Sequence, residues 1–216
     1  MVRFILAKRL IAILCDSRFY LNNITIMPNS AIILSNILND EELLKLEESY
    51  AEQYHDRPMP SSEVDKRYVF DNISTFRAVV LEKTKVSCIL NAYKTKDNEA
   101  CFVMRNEIVT VNGHTGSGGG WHRDSFNPTL KVFVPLTDCD EENGCTEYLL
   151  GTQSPWSKFK TIFQGLRIST VPNHIKQQVK LRRGDVAIVD ASCIHRGRTP
   201  ARAGRKMLTL YYKQAI

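Results

Sequence analysis

The stretch Leu181-Arg182-Arg183-Gly184-Asp185-Val186-Ala187-Ile188-Val189-Asp190-Ala191-Ser192-Cys193-Ile194-His195-Arg196-Gly197 decides the fold. Arg182 to Asp185 carries turn chemistry, and Val186–Val189 is a short unbroken apolar run, the pattern of a buried strand. That strand leads directly to a single histidine, His195. The segments around it repeat the theme. Short β-rich runs are expected at Ile108–Val111, Leu130–Leu136, Glu147–Leu150, Val179–Leu181 and Met207–Tyr212, with further turns in Glu141-Glu142-Asn143-Gly144 and around Arg202-Ala203-Gly204. No helical pattern of crossover length separates these runs, so a parallel α/β sheet is excluded and a cupin-like jelly roll is the natural closure.

Helices belong to the first half of the chain. Asn39 or Asp40 can cap a helix reaching Tyr54, in which Glu41 and Glu42 suit the first turn and Leu43, Leu44, Leu46 and Tyr50 form an apolar stripe facing a sheet. Pro58-Met59-Pro60-Ser61-Ser62 breaks the pattern, and a weaker helical segment covers Ser74 to Leu90. The expected class is therefore mainly β with flanking helices.

With 216 residues, 43% hydrophobic and 24% charged, the chain suits one domain. Met27 opens a segment that looks like a natural start. Residues 1–26 are accordingly read as an extension of uncertain status and 27–216 as a single domain. Within Met1–Leu14, Lys8 and Arg9 divide the apolar residues, leaving runs too short for a signal core or a stable membrane insertion. The formal charge of +6 hints at an anionic small-molecule partner, whereas the absence of a block of consecutive Lys or Arg gives no reason to expect nucleic acid. Six scattered cysteines without a CxxC pair point to free thiols in a reducing, cytoplasmic setting, although Cys139 and Cys145 flank a turn and would be close enough to pair after export. Oligomeric state is not legible in the chain.

The chemistry-bearing residues are few. His122 and Asp124, two apart, project from one face of a strand, and His195 from a returning strand completes a two-histidine, one-carboxylate face suited to Fe(II). A lone His-x-Asp is weak evidence, because a strand histidine is more often a satisfied structural residue. The Gly116–Gly120 run, which allows close backbone approach, and the buried strand before His195 raise it. A metal- or sugar-binding jelly roll without turnover and a hydrolytic zinc site remain open at this point.

GWHRD (residues 120–124), FVPLTDCDEENGCTEYLLGTQ (133–153), LRRGDVAIVDASCIHRG (181–197) and RKMLTLYY (205–212) resemble the phytanoyl-CoA dioxygenase-like family of Fe(II)/2-oxoglutarate oxygenases. The resemblance spans about residues 105–212. It implies a double-stranded β-helix, with Fe(II), 2-oxoglutarate and O2 as cofactor and co-substrates, and hydroxylation of a small organic substrate with release of succinate and CO2. The family's ligand pattern falls on His122, Asp124 and His195, and its 2-oxoglutarate arginine on Arg205. The Asp124 carboxylate occupies the position that halogenating relatives leave open, which favours hydroxylation. Arg205 suits the distal carboxylate of 2-oxoglutarate because a guanidinium makes a planar two-point contact. Arg202 competes for that role, and Lys206 should point to the opposite face.

Secondary candidates follow. Lys131 can reach a 2-oxoglutarate or substrate carboxylate, though a snorkelling surface lysine is the commoner role, and Thr209, on the strand face of Arg205, either adds a hydroxyl to the 2-oxoglutarate site or simply lines the barrel. Trp121 reads as a substrate wall or as packing, and Cys193 as a thiol near the metal or a buried structural residue. His55, His114 and His174 lack a partner at ligand spacing. The basic run His195–Arg202 reads as a solvated rim of the barrel mouth, with reception of an anionic substrate or acyl carrier as the competing reading. Substrate selection is expected in the loops Tyr54–Ser74 and Ser154–Gln178.

Overall fold

The structure, a computed structural model, describes residues 24–27, 31–58, 65–93, 98–109, 120–126, 129–152, 154–155, 157–159, 176–202 and 204–214. The Met1–Leu14 stretch, Cys15, His114, His174, Gly116–Gly119 and most of the expected loop Ser154–Gln178 lie outside the described residues.

Eleven strands are described: β1 (Ile24–Met27), β2 (Ala31–Leu34), β3 (Arg57–Pro58), β4 (Asp65–Phe70), β5 (Asn98–Ile108), β6 (Leu130–Pro135), β7 (Thr146–Leu149), β8 (Lys176–Val179), β9 (Val186–Asp190), β10 (His195–Gly197) and β11 (Arg205–Gln214). Eight form a large sheet in the order β1-β2-β9-β6-β11-β5-β4-β3, and three form a small sheet in the order β10-β7-β8. Every pairing is antiparallel. The two sheets make the double-stranded β-helix.

Strand periodicity divides the large sheet into two cores. Ile32 and Leu34 of β2, Val132 and Val134 of β6, Val186 and Ile188 of β9, and Leu208 and Leu210 of β11 face the helices. Their neighbours Ala31, Ile33, Phe133, Ala187, Val189 and Met207 face the barrel, where they meet Tyr148, Val179 and Cys193. This is the two-residue alternation of a pleated sheet. Because both faces are covered, β6 from Val132 to Pro135 and β9 from Val186 to Val189 read in sequence as continuous apolar runs.

Three helical pieces cover the outer face: α1 (Asp40–Ser49), α2 (Ser74–Phe76), which continues as a π-helical stretch Arg77–Leu81, and α3 (Thr84–Tyr93). Asn39 caps α1 in a reciprocal box with Glu42, its side chain accepting from the Glu42 amide at 2.9 Å while Glu42 accepts from the Asn39 amide at 3.0 Å. The helix stops at Ser49, short of the expected Tyr54, and Glu52–Tyr54 is a separate 3-10 turn. Leu43, Leu46 and Tyr50 are buried, but Leu44 is exposed. It falls outside the arc that a period of 3.6 residues turns toward the sheet.

Two expectations need correction. The strand expected at Ile108–Val111 is β5, which starts ten residues earlier and ends at Ile108. The expected loop Tyr54–Ser74 contains β3 and β4. In addition, β1 crosses the 26/27 position and pairs with β2 at the sheet edge.

Gly184 shows why the turn before β9 needs glycine. Its φ is +92°, a Cβ there would meet the Leu38 carbonyl oxygen at 2.8 Å, and its own carbonyl accepts from the Ile37 and Leu38 amides. That contact ties the start of β9 to the segment entering α1.

Candidate metal centre

His122 and His195 pair directly across two backbone hydrogen bonds, each amide donating to the other's carbonyl at 2.9 Å. This bridge extends the small sheet beyond β10. Asp124 lies outside any regular strand, and its amide donates to the Ala191 carbonyl at 3.3 Å. The expected strand face is thus only one bridge long, yet the grouping survives: one ligating atom from each of His122, Asp124 and His195 lies within 4.8 Å of the others. His195 Nε2 is 3.2 Å and His122 Nε2 3.7 Å from the Asp124 carboxylate oxygens. Three neighbouring donors about 2.1 Å from one ion lie about 3 Å apart, so a small contraction suffices.

Both imidazoles are held by the same device. His122 Nδ1 lies 2.8 Å from the carbonyl oxygen of Gly120, and His195 Nδ1 lies 2.8 Å from that of Cys193. A proton on Nδ1 bonded to a carbonyl leaves the Nε2 lone pair directed at the shared centre. Burial pushes the His122 imidazole below its ordinary pKa and His195 adds to the effect, which favours the neutral form. For Asp124 burial acts upward, but bonding to His195 and the charge of Lys131 outweigh it and hold the carboxyl well below the usual range.

Lys131 is not a surface residue. It is 6% exposed inside the barrel, its ammonium 2.6 Å from Asp124 Oδ2 and 4.3 Å from the centroid of the Tyr211 ring. Burial opposes the charge, yet the Tyr211 and Asp124 oxygens raise the pKa above its ordinary value. The snorkelling reading fails because the inward parity of β6 puts this side chain beside Phe133, not on the solvent side.

Arg205 is also buried, at 5% exposure. It donates through Nη1 to the Gly144 carbonyl, while its Nε has no partner among the described residues. Burial pulls its pKa down from the ordinary value. Arg202 is exposed and pairs with Glu142, and Lys206 points outward. Thr209 is buried on the face of Arg205. With Asp65, Arg67, Asn106, Met207 and Tyr211, these residues and the triad line one open cavity of about 650 Å³ counting its mouth.

The remaining candidates fall into place. Cys193 is fully buried and its thiol donates to the Leu149 carbonyl at 3.2 Å, a packing role. Cys139 and Cys145 are free buried thiols. Trp121 packs beneath the Arg196 guanidinium, 4.5 Å from the ring centroid. His55 is exposed and bonds the Glu52 carbonyl. Among the described residues nothing lies within 4 Å of where a Gly120 Cβ would stand. The basic rim is neutralised in part by Glu147, which pairs with Arg196 at 2.6 Å and Arg198 at 3.9 Å.

Sequence reading missed several residues. Arg123, between the two expected ligands, ties their loop to the turn before His195 by donating to the Ser192 and Thr152 carbonyls. Asp65 on β4 accepts from Arg67 and Asn106 in the cavity wall. Tyr211 shared the strand parity of Arg205 and Thr209, so its inward position was available from RKMLTLYY.

Comparison with known proteins follows the same lines. The family model described as Phytanoyl-CoA dioxygenase (PhyH) matches residues 36–206. No curated protein matches by sequence. Among solved structures, the non-heme alpha ketoglutarate dependent epimerase SnoN from nogalamycin biosynthesis is similar with a TM-score of 0.65 at 16% identity, over 96% of this chain and 83% of its own. HygX from Streptomyces hygroscopicus, solved with nickel, 2-oxoglutarate and hygromycin B bound, gives 0.58 at 14% identity over 86% and 83%. A 2OG-Fe(II) oxygenase family oxidoreductase from Burkholderia pseudomallei gives 0.56 at 12% over 86% and 84%. Among the described residues no helix is long and apolar enough to cross a membrane. With the family model covering most of the chain, this protein is an enzyme of the phytanoyl-CoA dioxygenase family.

Proposed function

We propose that the chain is an Fe(II)- and 2-oxoglutarate-dependent dioxygenase that hydroxylates a small organic molecule. The observation that carries this reading is the convergence of His122, Asp124 and His195 in a cavity also lined by a buried Arg205 whose Nε, among the described residues, has no partner. Two neutral imidazoles and one carboxylate suit Fe(II) and leave adjacent positions open. A buried guanidinium edge lacking an acceptor suits the distal carboxylate of a dicarboxylic acid. His122, Asp124 and His195 would hold Fe(II), which together with 2-oxoglutarate and O2 would supply oxidation of a substrate C–H bond coupled to decarboxylation of the co-substrate to succinate and CO2.

The protein's own residues do the placing. The Gly120 and Cys193 carbonyls aim the imidazoles, Arg205 and Thr209 receive the co-substrate's far end, and the apolar wall of Phe133, Met104 and Met207 excludes water. Lys131, buried in the same cavity with its ammonium 2.6 Å from Asp124 Oδ2, holds that carboxylate and stands where it could also meet a carboxylate of 2-oxoglutarate or of the substrate. The substrate is a small molecule received in the cavity beside the Asp65, Arg67 and Asn106 wall. The free thiols support a cytoplasmic setting. A binding module without turnover gives no account of the buried arginine.

Anaerobic addition of Fe(II) and 2-oxoglutarate to the apo-protein should produce the visible charge-transfer band of the chelate, lost in His122→Ala. Folded wild-type protein without that band overturns the reading. Product mass then separates hydroxylation, which adds one oxygen, from an epimerase outcome, which leaves the substrate's mass unchanged.

A further inference from the structure

We infer that the Asp140–Gly144 turn is a positioning element for Arg205, fixing the guanidinium that receives the distal carboxylate of the co-substrate; this rests on the dioxygenase reading above. The ten-residue interval between His195 and Arg205 is held at several points by this turn. Arg198 N donates to the Cys145 carbonyl at 2.9 Å, and Ala201 N and Arg202 N donate to the Glu142 carbonyl at 2.7 and 3.2 Å. The Arg202 side chain adds a contact to Glu142 at 3.1 Å. Arg205 then reaches back and donates to the Gly144 carbonyl, closing the circuit.

The turn itself is built for one shape. Asp140 Oδ1 accepts from the Glu142 and Asn143 amides, both at 2.8 Å, and the Asp140 carbonyl accepts from Cys145 N at 2.7 Å. Gly144 has φ +86°, and a Cβ would stand 2.5 Å from the Arg198 carbonyl oxygen and 3.1 Å from the Pro200 ring. Glycine is therefore required both by the backbone and by the packing of the rim segment. A guanidinium with one edge fixed to a carbonyl can present its remaining N–H groups in one direction only, so an acceptor must meet Arg205 where the turn holds it.

The test compares Gly144→Ala and Asp140→Ala with wild type and with Arg205→Met, titrating Co(II) or Fe(II) alone and then 2-oxoglutarate at saturating metal under anaerobic conditions. In Gly144→Ala, 2-oxoglutarate affinity should fall about tenfold or more, the size of one misplaced charge-assisted contact, with a smaller fall in Asp140→Ala. Metal affinity should stay within about threefold and the charge-transfer band should keep its position, because the chelating end is untouched. Turnover should show a raised KM for 2-oxoglutarate with kcat largely kept. Thermal unfolding identifies variants that fail to fold, and Asp140→Ala, which introduces no clash, then carries the test. Folded variants with wild-type 2-oxoglutarate affinity, or with metal and 2-oxoglutarate weakened equally, overturn the inference while leaving the dioxygenase reading intact. Wild type that takes up metal without 2-oxoglutarate overturns both.

Discussion

The two sheets of the barrel divide the cavity between them. From the large sheet come Lys131, Thr209 and Arg205; on the small sheet and its one-bridge extension stand His195 and His122. The large sheet is buried on both faces and backed by three helical pieces. Outside the small sheet there is an ion-pair network instead, in which Glu147 meets Arg196 and Arg198, and Glu141 meets Lys180 at 2.9 Å. The proposed co-substrate groups thus rest on the deeper core, and the proposed ligands on the shallower one. A centre assembled on the weaker layer should gain most when a metal bridges its elements, so metal binding is expected to raise the unfolding temperature.

Removing the small sheet's histidines is the most severe way to break this division. His195→Ala and His122→Ala should both abolish metal uptake in a titration, but they should differ in stability. His195 is 5% exposed and stacked on Tyr148, whereas the His122 side chain is 38% exposed. His195→Ala should cost about 2–3 kcal/mol in denaturant unfolding, and His122→Ala about 0.5 kcal/mol or less. Equal losses would mean that His122 also supports the sheet.

A cut into the large sheet should do the opposite. Leu208 is fully buried among helix-facing residues, so Leu208→Ala should lower stability by about 2–5 kcal/mol and leave the metal affinity of the folded fraction unchanged. Arg205→Met should act on function alone in this sheet. It should weaken 2-oxoglutarate about 10–100-fold, and Arg205→Lys should recover little, since an ammonium cannot reproduce the two-point contact. Smaller again is Glu147→Gln on the outside of the small sheet. The acid is buried but Arg196 is partly solvated, so the loss should be about 1 kcal/mol and should shrink in high salt.

The same division explains what could be read in the sequence. β6, β9 and β11 were legible because their apolar residues dominate, and the grouping of His122, Asp124 and His195 was suggested by the His-x-Asp spacing together with the family resemblance of GWHRD and of the segment ending at His195. β4 and most of β5 were hidden. Their inner face carries Asp65, Arg67 and Asn106 toward the cavity, while Arg105 and Glu107 pair on the outer face, so only the short apolar runs Tyr68–Phe70 and Ala100–Met104 remained to mark them. Functional groups had displaced the signal of the fold. The surface reading of Lys131 failed for a related reason: a lysine in a strand reads as solvent-facing, and nothing local in the chain shows that pairing sets Lys131 opposite Tyr211 inside the barrel, 2.6 Å from Asp124.

The subtlest test lies where the sheets meet. Tyr148 of β7 stacks on the His195 ring, with centroids 5.3 Å apart and planes 23° from parallel, and its ring is wholly buried with Phe133, Cys193 and Met207. Burial drives its phenol well above the ordinary pKa, so the group stays a neutral hydroxyl, and among the described residues that hydroxyl has no partner. An unsatisfied buried hydroxyl costs free energy that its removal returns, while the ring and its stacking persist. Tyr148→Phe should therefore leave stability unchanged or raise it by up to about 1 kcal/mol, with metal affinity within about threefold of wild type. A loss in either measurement would mean that the hydroxyl gains a partner once the centre is filled, making Tyr148 part of the link between the two sheets.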